Sequence, residues 1–488
     1  MNKLLLGFVI LLVGLPSAKA ADSGKRVKSW ERSIVLLDIK RKNYDYFQPW
    51  TTPIQNLQKF GVIVGEQEIL TTAEGLSDRT LLRIQKEGRG KWYMGEVSWI
   101  DYHANLAVVR ADEEALWKGM RTVDWAKPID STAPMQIIRW RAGKIEARHA
   151  EFNQFTVEDA KLSYVQHLQM EVNSEINGAG WGEALISDGK LLGLVNSQNG
   201  NSCKVIPSSF IRHILDGRKK GSYRGLGYFD FVWQQAENPA TLRFLKVEND
   251  QHGVIVIEVP KERMAEDSVK PRDVILQIDG FDIDTTGDYQ DPDYGHLLLE
   301  NLATRNKWAG DEVRLKVWRD GREIIVKYRI PKVEYASRLV PDATYDAPPE
   351  YLVLGGLVFQ PLSNAYLKSW GADWRRRAPF RLYYYNTLPQ TKERPSLVLL
   401  SQILPDAYNL GYQEYRFLTV DKVNGVVIAK LDDLRQALEK PRDGFHTIEL
   451  MEGDTLRRMV LDAAELEKAT QRVLTRYGIE KDHVLAVK

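Results

Sequence analysis

The sequence predicts a mainly β protein with an all-β N-terminal region and two α+β modules that repeat each other. Three observations support this prediction. Short runs of Val, Ile and Leu alternate with turn residues up to about residue 215, the composition changes near residue 220, and two later stretches share one order of elements. A chain of 488 residues is long enough for about three domains of ordinary size.

The composition is that of a globular protein without a strong overall charge. Apolar residues make up 43% of the chain and charged residues 27%, so sizeable cores can form. The 67 basic and 66 acidic residues give a formal net charge of +1, and we therefore expect no nucleic-acid partner. Cys203 is the only cysteine, so packed cores must stabilise the chain without an internal disulfide.

Residues 1–20, MNKLLLGFVILLVGLPSAKA, have the pattern of a secretory signal peptide. A short n-region with Lys3 precedes the apolar run Leu4–Leu15, and the small residues of Ala18–Ala20 predict cleavage before Ala21. The alternative is an uncleaved anchor, although the run is short for the ~20 residues that span a bilayer. We expect an exported protein, periplasmic or secreted, with no transmembrane span after cleavage.

The N-terminal domain, placed at 21–220, is predicted from many short strands. Glycine, aspartate and asparagine separate these strands, which is typical of an all-β barrel or sandwich over roughly 30–215. A helical pattern appears mainly at Ser208–Asp216. The strand-like runs are SIVLLDI, FGVIVG, EILTTA, TLLRI, GEVSWI, NLAVVRA, MQIIRW and KLLGLVN.

The two later modules, placed at 221–333 and 350–465, share one pattern. Each has a strand, a second strand ending in an Asp-Gly or Asn-Gly turn, an amphipathic helix (Tyr294–Leu302 and Leu431–Leu438) and a closing hairpin. Such self-similarity indicates a duplicated module. A proline-containing linker at 334–349 joins the two modules, and a C-terminal helix and tail follow at 466–488.

This repeated pattern resembles the PDZ domain, which binds extended peptides by adding them as a strand to a sheet edge. The resemblance implies a glycine-containing loop whose free N–H groups take the peptide carboxylate. The candidate residues are Arg224, Gly225, Leu226, Gly227 and Tyr228 in the first module, and Gly355, Gly356, Leu357, Val358 and Phe359 in the second. The alternative is that these glycines only start a strand.

An all-β domain followed by two PDZ-like modules resembles the HtrA/Deg family of serine proteases over nearly the whole mature chain. The second module and its tail, with YLVLGGLVFQPL and ATQRVLTRYGI, are most similar to the plant-type Deg branch. The resemblance implies a mainly β fold, with a chymotrypsin-like double β-barrel followed by two α+β PDZ-like domains. It also implies a catalytic His, Asp and Ser in motifs of the form ILTNAHVV, D-x-A-hydrophobic and GNSGGP.

Each of the three motifs is found here without its reactive residue. ILTTAEGL places Glu74 at the base, NLAVV places Asn105 at the orienting acid, and INGAGWGEAL places Trp181 at the nucleophile. An indole is not nucleophilic and has no proton that a base could remove, so we predict no intact catalytic residue. Four other polar residues are interpreted as ordinary surface or core residues: His103, His149, His167 and Ser174.

Trp181 has two interpretations. Its ring either fills the former substrate cleft, or it forms part of a new binding surface. We also expect Glu74 and Asn105 to face each other and share a hydrogen bond. No metal site or cofactor is predicted, because the aspartates of Asp282–Asp293 lack the spacing of a calcium loop and no zinc motif occurs.

The leading hypothesis is an exported pseudoprotease that binds peptide C-termini or unfolded segments as a chaperone, adaptor or regulator. An active protease paralogue is a candidate partner. The alternatives are an active serine endopeptidase in envelope protein quality control and a structural component whose PDZ grooves are closed. The aromatic segment Tyr44–Trp50 is either a homotrimer contact or an ordinary strand edge and turn.

Overall fold

The computed structural model describes residues 30–126, 133–247, 253–263, 265, 267–451 and 457–486. The predicted signal peptide at 1–20 lies outside these residues. Within the described ranges, no helix is both long enough and apolar enough to cross a membrane.

The first half of the N-terminal domain is a seven-stranded antiparallel sheet in the order β5-β4-β1-β2-β3-β7-β6. Its alternating apolar residues form a core of their own, and a short helix, Glu114–Trp117, follows the last strand. The strands are β1 Ile34–Lys42, β2 Ile54–Gly65, β3 Glu68–Thr71, β4 Arg79–Lys86, β5 Tyr93–Met94, β6 Glu96–Asp101 and β7 Leu106–Arg110.

The second half closes into a six-stranded barrel in the order β10-β13-β12-β11-β8-β9. Helix Ser208–Lys219 ends the domain, and its Phe210 packs into a core shared by both halves, together with Ile34 and Leu106 from the first half. The strands are β8 Met135–Arg141, β9 Lys144–Asp159, β10 Gln166–Ser174, β11 Ala184–Ser187, β12 Lys190–Asn199 and β13 Ser202–Pro207.

The first module is a sheet in the order β14-β15-β16-β20-β21, with β17 paired to β16 and a separate hairpin β18-β19. A short helix, Pro239–Phe244, lies between β14 and β15, and the Asn238 side chain caps its first N–H groups. The strands are β14 Val232–Gln235, β15 Val254–Glu258, β16 Val274–Ile278, β17 Phe281–Asp282, β18 Asp288–Asp291, β19 Gly295–Leu298, β20 Glu312–Arg319 and β21 Arg322–Arg329.

The predicted helix Tyr294–Leu302 in this module is wrong. Gly295–Leu298 forms strand β19, and only Leu299–Ala303 turns, as a 3-10 helix. Gly295 has φ +79°, which fits the hairpin turn that brings β19 back onto β18. The apolar run LLLENL is short enough to suit a buried strand or a helix, and periodicity alone does not separate the two.

The second module is a sheet in the order β28-β27-β25-β24-β23-β22-β29, with β26 paired to β25. Helix Leu431–Leu438 has the bounds that the sequence predicts. Three short helices, Asn364–Lys368, Trp374–Arg377 and Phe380–Tyr384, lie between β23 and β24. The strands are β22 Tyr351–Leu354, β23 Leu357–Pro361, β24 Val398–Ile403, β25 Leu418–Val423, β26 Val426–Val427, β27 Phe445–Leu450, β28 Arg457–Asp462 and β29 His483–Val484.

The C-terminal helix, Leu466–Tyr477, ends at Gly478, whose φ of +64° makes a left-handed cap. Val473 and Leu474 of this helix pack against β22 and β23. The fold is therefore mainly β, with a trypsin-like domain followed by PDZ-like modules, and the predicted fold class is confirmed.

The aromatic segment Tyr44–Trp50 packs against the second module of the same chain. Phe47 contacts Trp370 edge-on with ring centroids 4.9 Å apart, and Trp50 contacts Tyr351 at 6.2 Å. The segment is a loop that joins the first domain to the second module. A homotrimer stays a prediction. Because the aromatic segment contacts the second module of its own chain, it is not the predicted contact surface between protomers.

Candidate functional site

The three residues aligned to the catalytic triad come together between the two halves of the first domain. The backbone N–H of Glu74 donates to Oδ1 of Asn105 at 3.0 Å. A Cβ built on Gly75 would lie 3.6 Å from Cζ3 of Trp181. The carbonyl of Trp181 accepts from the N–H of Phe60 at 3.0 Å, which joins the loop to β2.

The side chains of Glu74 and Asn105 do not share the hydrogen bond that we expected between them. Asn105 is fully buried, and it contacts the main chain of Glu74 rather than its carboxylate. That carboxylate lies 3.9 Å from Nζ of Lys161. Burial raises the pKa of Glu74, and the nearby lysines oppose the shift. The position predicted for the base therefore holds an acid paired with a lysine.

Trp181 is partly buried and packs against the core shared by the two halves. The ammonium of Lys59 lies over its ring, 5.5 Å from the centroid. A cation above an indole is attracted to the negative face of the ring. These contacts favour the interpretation in which Trp181 fills the former cleft.

The carboxylate of Glu183 accepts hydrogen bonds from backbone N–H groups of the loop around Trp181, which we call the nucleophile loop. Its Oε2 accepts from the N–H of Gly180 at 2.9 Å and from the N–H of Trp181 at 2.8 Å, and the side chain is fully buried. In acyl transfer, backbone N–H groups at the nucleophile stabilise the oxyanion that develops. Burial raises the pKa of Glu183, while these N–H groups and Arg139 lower it. The N–H at the nucleophile position is thus bound by the protein's own carboxylate.

The side chain of Arg139, on strand β8, also contacts the nucleophile loop. It is buried, and its guanidinium donates to Glu146 Oε2 at 2.9 Å, to the carbonyl of Asn177 at 2.7 Å and to the carbonyl of Gly178 at 3.2 Å. It also lies 3.5 Å from Oε1 of Glu183. Sequence reasoning missed both Arg139 and the contacts of Glu183 within this loop.

Lys59 is a fully buried lysine at the same site, and it too was missed. Its Nζ donates to Oγ1 of Thr72 at 2.6 Å. Burial lowers its pKa to about 8, although the negative charges of Glu74 and Glu183 act in the opposite direction. The run QKFGVIVG does not by itself indicate that its lysine is buried. The burial of Lys59 can be recognised only when β2 is known to be a core strand.

Lys59 predicts a specific dependence of stability on pH. The unfolded chain binds this proton up to about pH 10.5 and the folded chain releases it near 8, so the free energy of unfolding rises with pH between these values. We expect a gain of up to about 2 kcal/mol from pH 8 to about 9.5. Urea titrations at both pH values should show this gain in the wild type and not in Lys59→Met. Lys161→Met is the control, and an equal gain in Lys59→Met would contradict the assignment.

The linker between the two modules crosses the face of the first domain that carries Glu74 and Asn105. Oδ2 of Asp346 accepts from the hydroxyl of Tyr102 at 2.6 Å, and its Oδ1 accepts from the N–H of Asp78 at 3.0 Å. Tyr345 stacks on Tyr102 with ring centroids 4.0 Å apart and donates to the carbonyl of Leu162 at 3.1 Å. We call residues 335–346 the strap.

The residues that hold the strap adjoin the predicted triad positions. Tyr102 precedes Asn105 on the turn between β6 and β7, and Leu162 follows Lys161, the partner of Glu74. The contacts with Tyr102 and Leu162 dock the strap on the first domain, so the strap is not a free tether. Both contacts lie beside the cleft.

Three comparisons relate this chain to known proteins. Residues 340–484 match the PDZ domain family. The chain is 25% identical over 465 residues to the putative protease Do-like 12, mitochondrial, of Arabidopsis thaliana, covering 92% of this chain and 85% of the relative. It is 24% identical over 449 residues to protease Do-like 2, chloroplastic, of the same plant, covering 90% and 72%. The PDZ match and these Do-like protease relatives support the HtrA/Deg family for this chain.

Among solved structures, the HtrA-type protease AlgW with decapeptide aligns over 63% of this chain and 98% of its own. The TM-score is 0.48 and the identity is 14%.

The first predicted peptide loop is packed against its own module. Arg224 pairs with Asp311, the carbonyl of Gly225 accepts from Ala309 at 3.0 Å, and the carbonyl of Leu226 accepts from Val333 at 3.0 Å. Leu226 is buried, and Tyr228 packs edge-on against Tyr164. A Cβ on Gly227 would lie 2.1 Å from Ile330. These contacts fix Arg224–Tyr228 to the end of the module, and its role as a carboxylate loop stays a prediction.

The second predicted loop is also satisfied internally. The N–H of Gly355 donates to Thr470 at 2.8 Å, its carbonyl accepts from Asn409 at 2.8 Å, and the carbonyl of Gly356 accepts from Leu404 at 2.7 Å. Leu357, Val358 and Phe359 are buried in β23, which pairs with β22 on one side and β24 on the other. The glycines lead the chain into an internal strand, which leaves no free edge at β23 for a peptide.

The outer strand β28 of the second module is covered by tyrosine hydroxyls. Tyr412 Oη accepts from the N–H of Val460 at 3.0 Å and donates to its carbonyl at 3.1 Å. Tyr408 donates to the carbonyl of Asp462 at 2.7 Å. These contacts protect the edge against pairing with another strand.

The side chain of Trp233, on the terminal strand β14 of the first module, lies against Gly287 and Glu300. Nε1 of Trp233 donates to Oε1 of Glu300 at 2.7 Å, and a Cβ on Gly287 would lie 2.3 Å from the Trp233 ring. We call the space between β14 and these two residues the groove, and the Trp233 ring fills it. In the hairpin that precedes Glu300, Tyr294 contacts Phe155 of the first domain with ring centroids 4.8 Å apart.

The other candidate residues have local structural partners. Asp291 is buried and accepts from Arg305 at 2.6 Å, so this part of the acidic loop is not simply solvated. His167 is buried against Phe210, and Ser174 donates to the carbonyl of His149 at 2.7 Å. Among the described residues, no group of three or more His, Cys, Asp or Glu is placed to hold a metal ion.

Proposed function

We propose that this HtrA/Deg chain is a pseudoprotease that binds polypeptide segments without cleaving them. The observation that carries the proposal is the nucleophile loop. Residue 181 is a tryptophan, and the carboxylate of Glu183 binds the N–H groups of Gly180 and Trp181. Acyl transfer by this fold needs both a hydroxyl or thiol and free oxyanion donors, and neither requirement is met here.

We place the binding function in the first module. Its strand β14 pairs with β15 on one side and ends the sheet on the other, within the part of the chain that the structure describes. An extended peptide C-terminus or unfolded segment would add to this edge once the Trp233 ring leaves the groove. The protein would act as a chaperone, adaptor or regulator, with an active protease paralogue as a candidate partner, in the periplasm or outside the cell.

The absence of proteolysis is tested with casein. Loss of one triad member in a well-studied serine protease leaves only about 10³ to 10⁴ of the rate enhancement over water, so loss of all three predicts no measurable degradation. Degradation that survives Trp181→Ala and disappears with a serine-reactive probe would instead support an active serine endopeptidase.

Peptide binding is tested by titrating the full chain with a library of labelled C-terminal peptides and following fluorescence anisotropy. Because Trp233 competes for the groove, Trp233→Ala should tighten binding about three- to tenfold, as expected for one lost hydrogen bond and its packing. Arg224→Ala and Phe445→Ser, which lie away from the groove, are the controls. If neither the wild type nor Trp233→Ala binds any peptide saturably, the protein is a structural component.

A further inference from the structure

An exposed patch in the second module is independent of both the cleft and the groove. It consists of residues 374–388, WRRRAPFRLYYYNTL, which include the short helices Trp374–Arg377 and Phe380–Tyr384. We call it the arginine–aromatic patch. Phe380 is 77% exposed, Tyr384 48% and Leu388 36%. Large apolar side chains grouped in this way mark an interaction surface rather than scattered exposure.

The patch concentrates positive charge in a chain that is otherwise nearly neutral. It contains four arginines and no acidic residue, whereas the whole chain has a formal net charge of +1. Arg375, Arg376 and Arg377 are exposed, and Arg381 is partly exposed. Arg375 lies over the Trp374 ring at 5.3 Å. Across the described ranges, none of the four forms an ion pair.

The patch is held in place by a buried side. Ala378 and Leu382 pack into the core beneath it, with Trp374 partly buried at the margin. Phe380 and Tyr384 lie one helical turn apart, with ring centroids at 6.2 Å, so they share the face opposite Leu382. The packing of the buried side therefore keeps the rings of Phe380 and Tyr384 directed towards solvent.

We propose that the arginine–aromatic patch binds the surface of an anionic phospholipid membrane. Phenylalanine and leucine enter the boundary of the acyl chains, tyrosine prefers the headgroup level, and guanidinium groups pair with lipid phosphates. An acidic polypeptide would pair with the arginines but would not require Phe380, Tyr384 and Leu388 to be exposed among them. The combination of apolar and cationic groups favours the membrane.

The test is flotation of the chain beginning at Ala21, which keeps every residue that the structure describes, with lipid vesicles. We expect binding to vesicles of equal parts phosphatidylglycerol and phosphatidylcholine, weaker binding at higher salt, and little binding to phosphatidylcholine alone. An arginine near an anionic surface contributes about fivefold in affinity, so Arg376→Gln/Arg377→Gln should bind about 25-fold more weakly. Phe380→Ser should also weaken binding.

Matched controls come from the first module. Arg314→Gln/Arg322→Gln removes the same charge from exposed positions, and Ile325→Ser removes a side chain that is 62% exposed. Both should bind vesicles as the wild type does. Equal binding to the two kinds of vesicle, equal losses in the control variants, or binding to polyglutamate without binding to vesicles would each overturn the proposal.

Discussion

Replacing Glu183 with alanine is expected to destabilise the first domain by about 3 to 5 kcal/mol. The substitution leaves the N–H groups of Gly180 and Trp181 without their acceptor and removes one carboxylate from the buried guanidinium of Arg139. Unpaired buried donors and charges cost far more than a surface contact.

Urea unfolding followed by fluorescence measures this loss. Glu175→Ala is the matched control, because Glu175 is exposed on the same loop, and its effect should stay within about 0.5 kcal/mol. Glu183→Gln should be intermediate, since an amide oxygen can accept from the loop but cannot pair with Arg139. A loss below about 1 kcal/mol in Glu183→Ala would contradict the role assigned to this carboxylate.

Rebuilding the three reactive side chains is expected not to restore proteolysis. In the variant Glu74→His/Asn105→Asp/Trp181→Ser, the carboxylate of Glu183 would still bind the N–H at position 181. Losing one oxyanion donor costs about 10² to 10³ in rate. Adding Glu183→Gly to this variant should therefore raise the rate by about that factor.

The rate is measured as acylation by a fluorophosphonate probe and as casein cleavage. The matched control carries Trp181→Ala in the Glu74→His/Asn105→Asp/Glu183→Gly background, and it should not react. Equal rates with and without Glu183→Gly would show that Glu183 does not block the oxyanion donors.

Local sequence patterns predicted the architecture well where a pattern is compatible with only one type of secondary structure. Alternating strands and turns predicted the first domain, and an amphipathic pattern predicted helix Leu431–Leu438 with its observed bounds. The same reasoning failed at Tyr294–Leu302, because a short apolar run suits a buried strand or a helix.

The motifs pointed to three residues that the structure places close together, but they did not point to the groups around these residues. Glu183 binds its own loop, and Arg139 reaches that loop from another strand. Lys59 is buried only because β2 lies inside the sheet. The strap was predicted as a tether because prolines mark linkers, yet Tyr345 finds its partners far away in sequence. Contacts of this kind depend on tertiary placement and leave no local pattern.

The outermost strand of the second module also affects when this module can fold. Strand β29 pairs with β22, so that Tyr351 lies opposite Val484. The sheet therefore cannot be completed until residue 484 has been synthesised, and until then one side of β22 is exposed. Pairing across so long a stretch of chain is slow. The second module therefore completes its sheet late in synthesis.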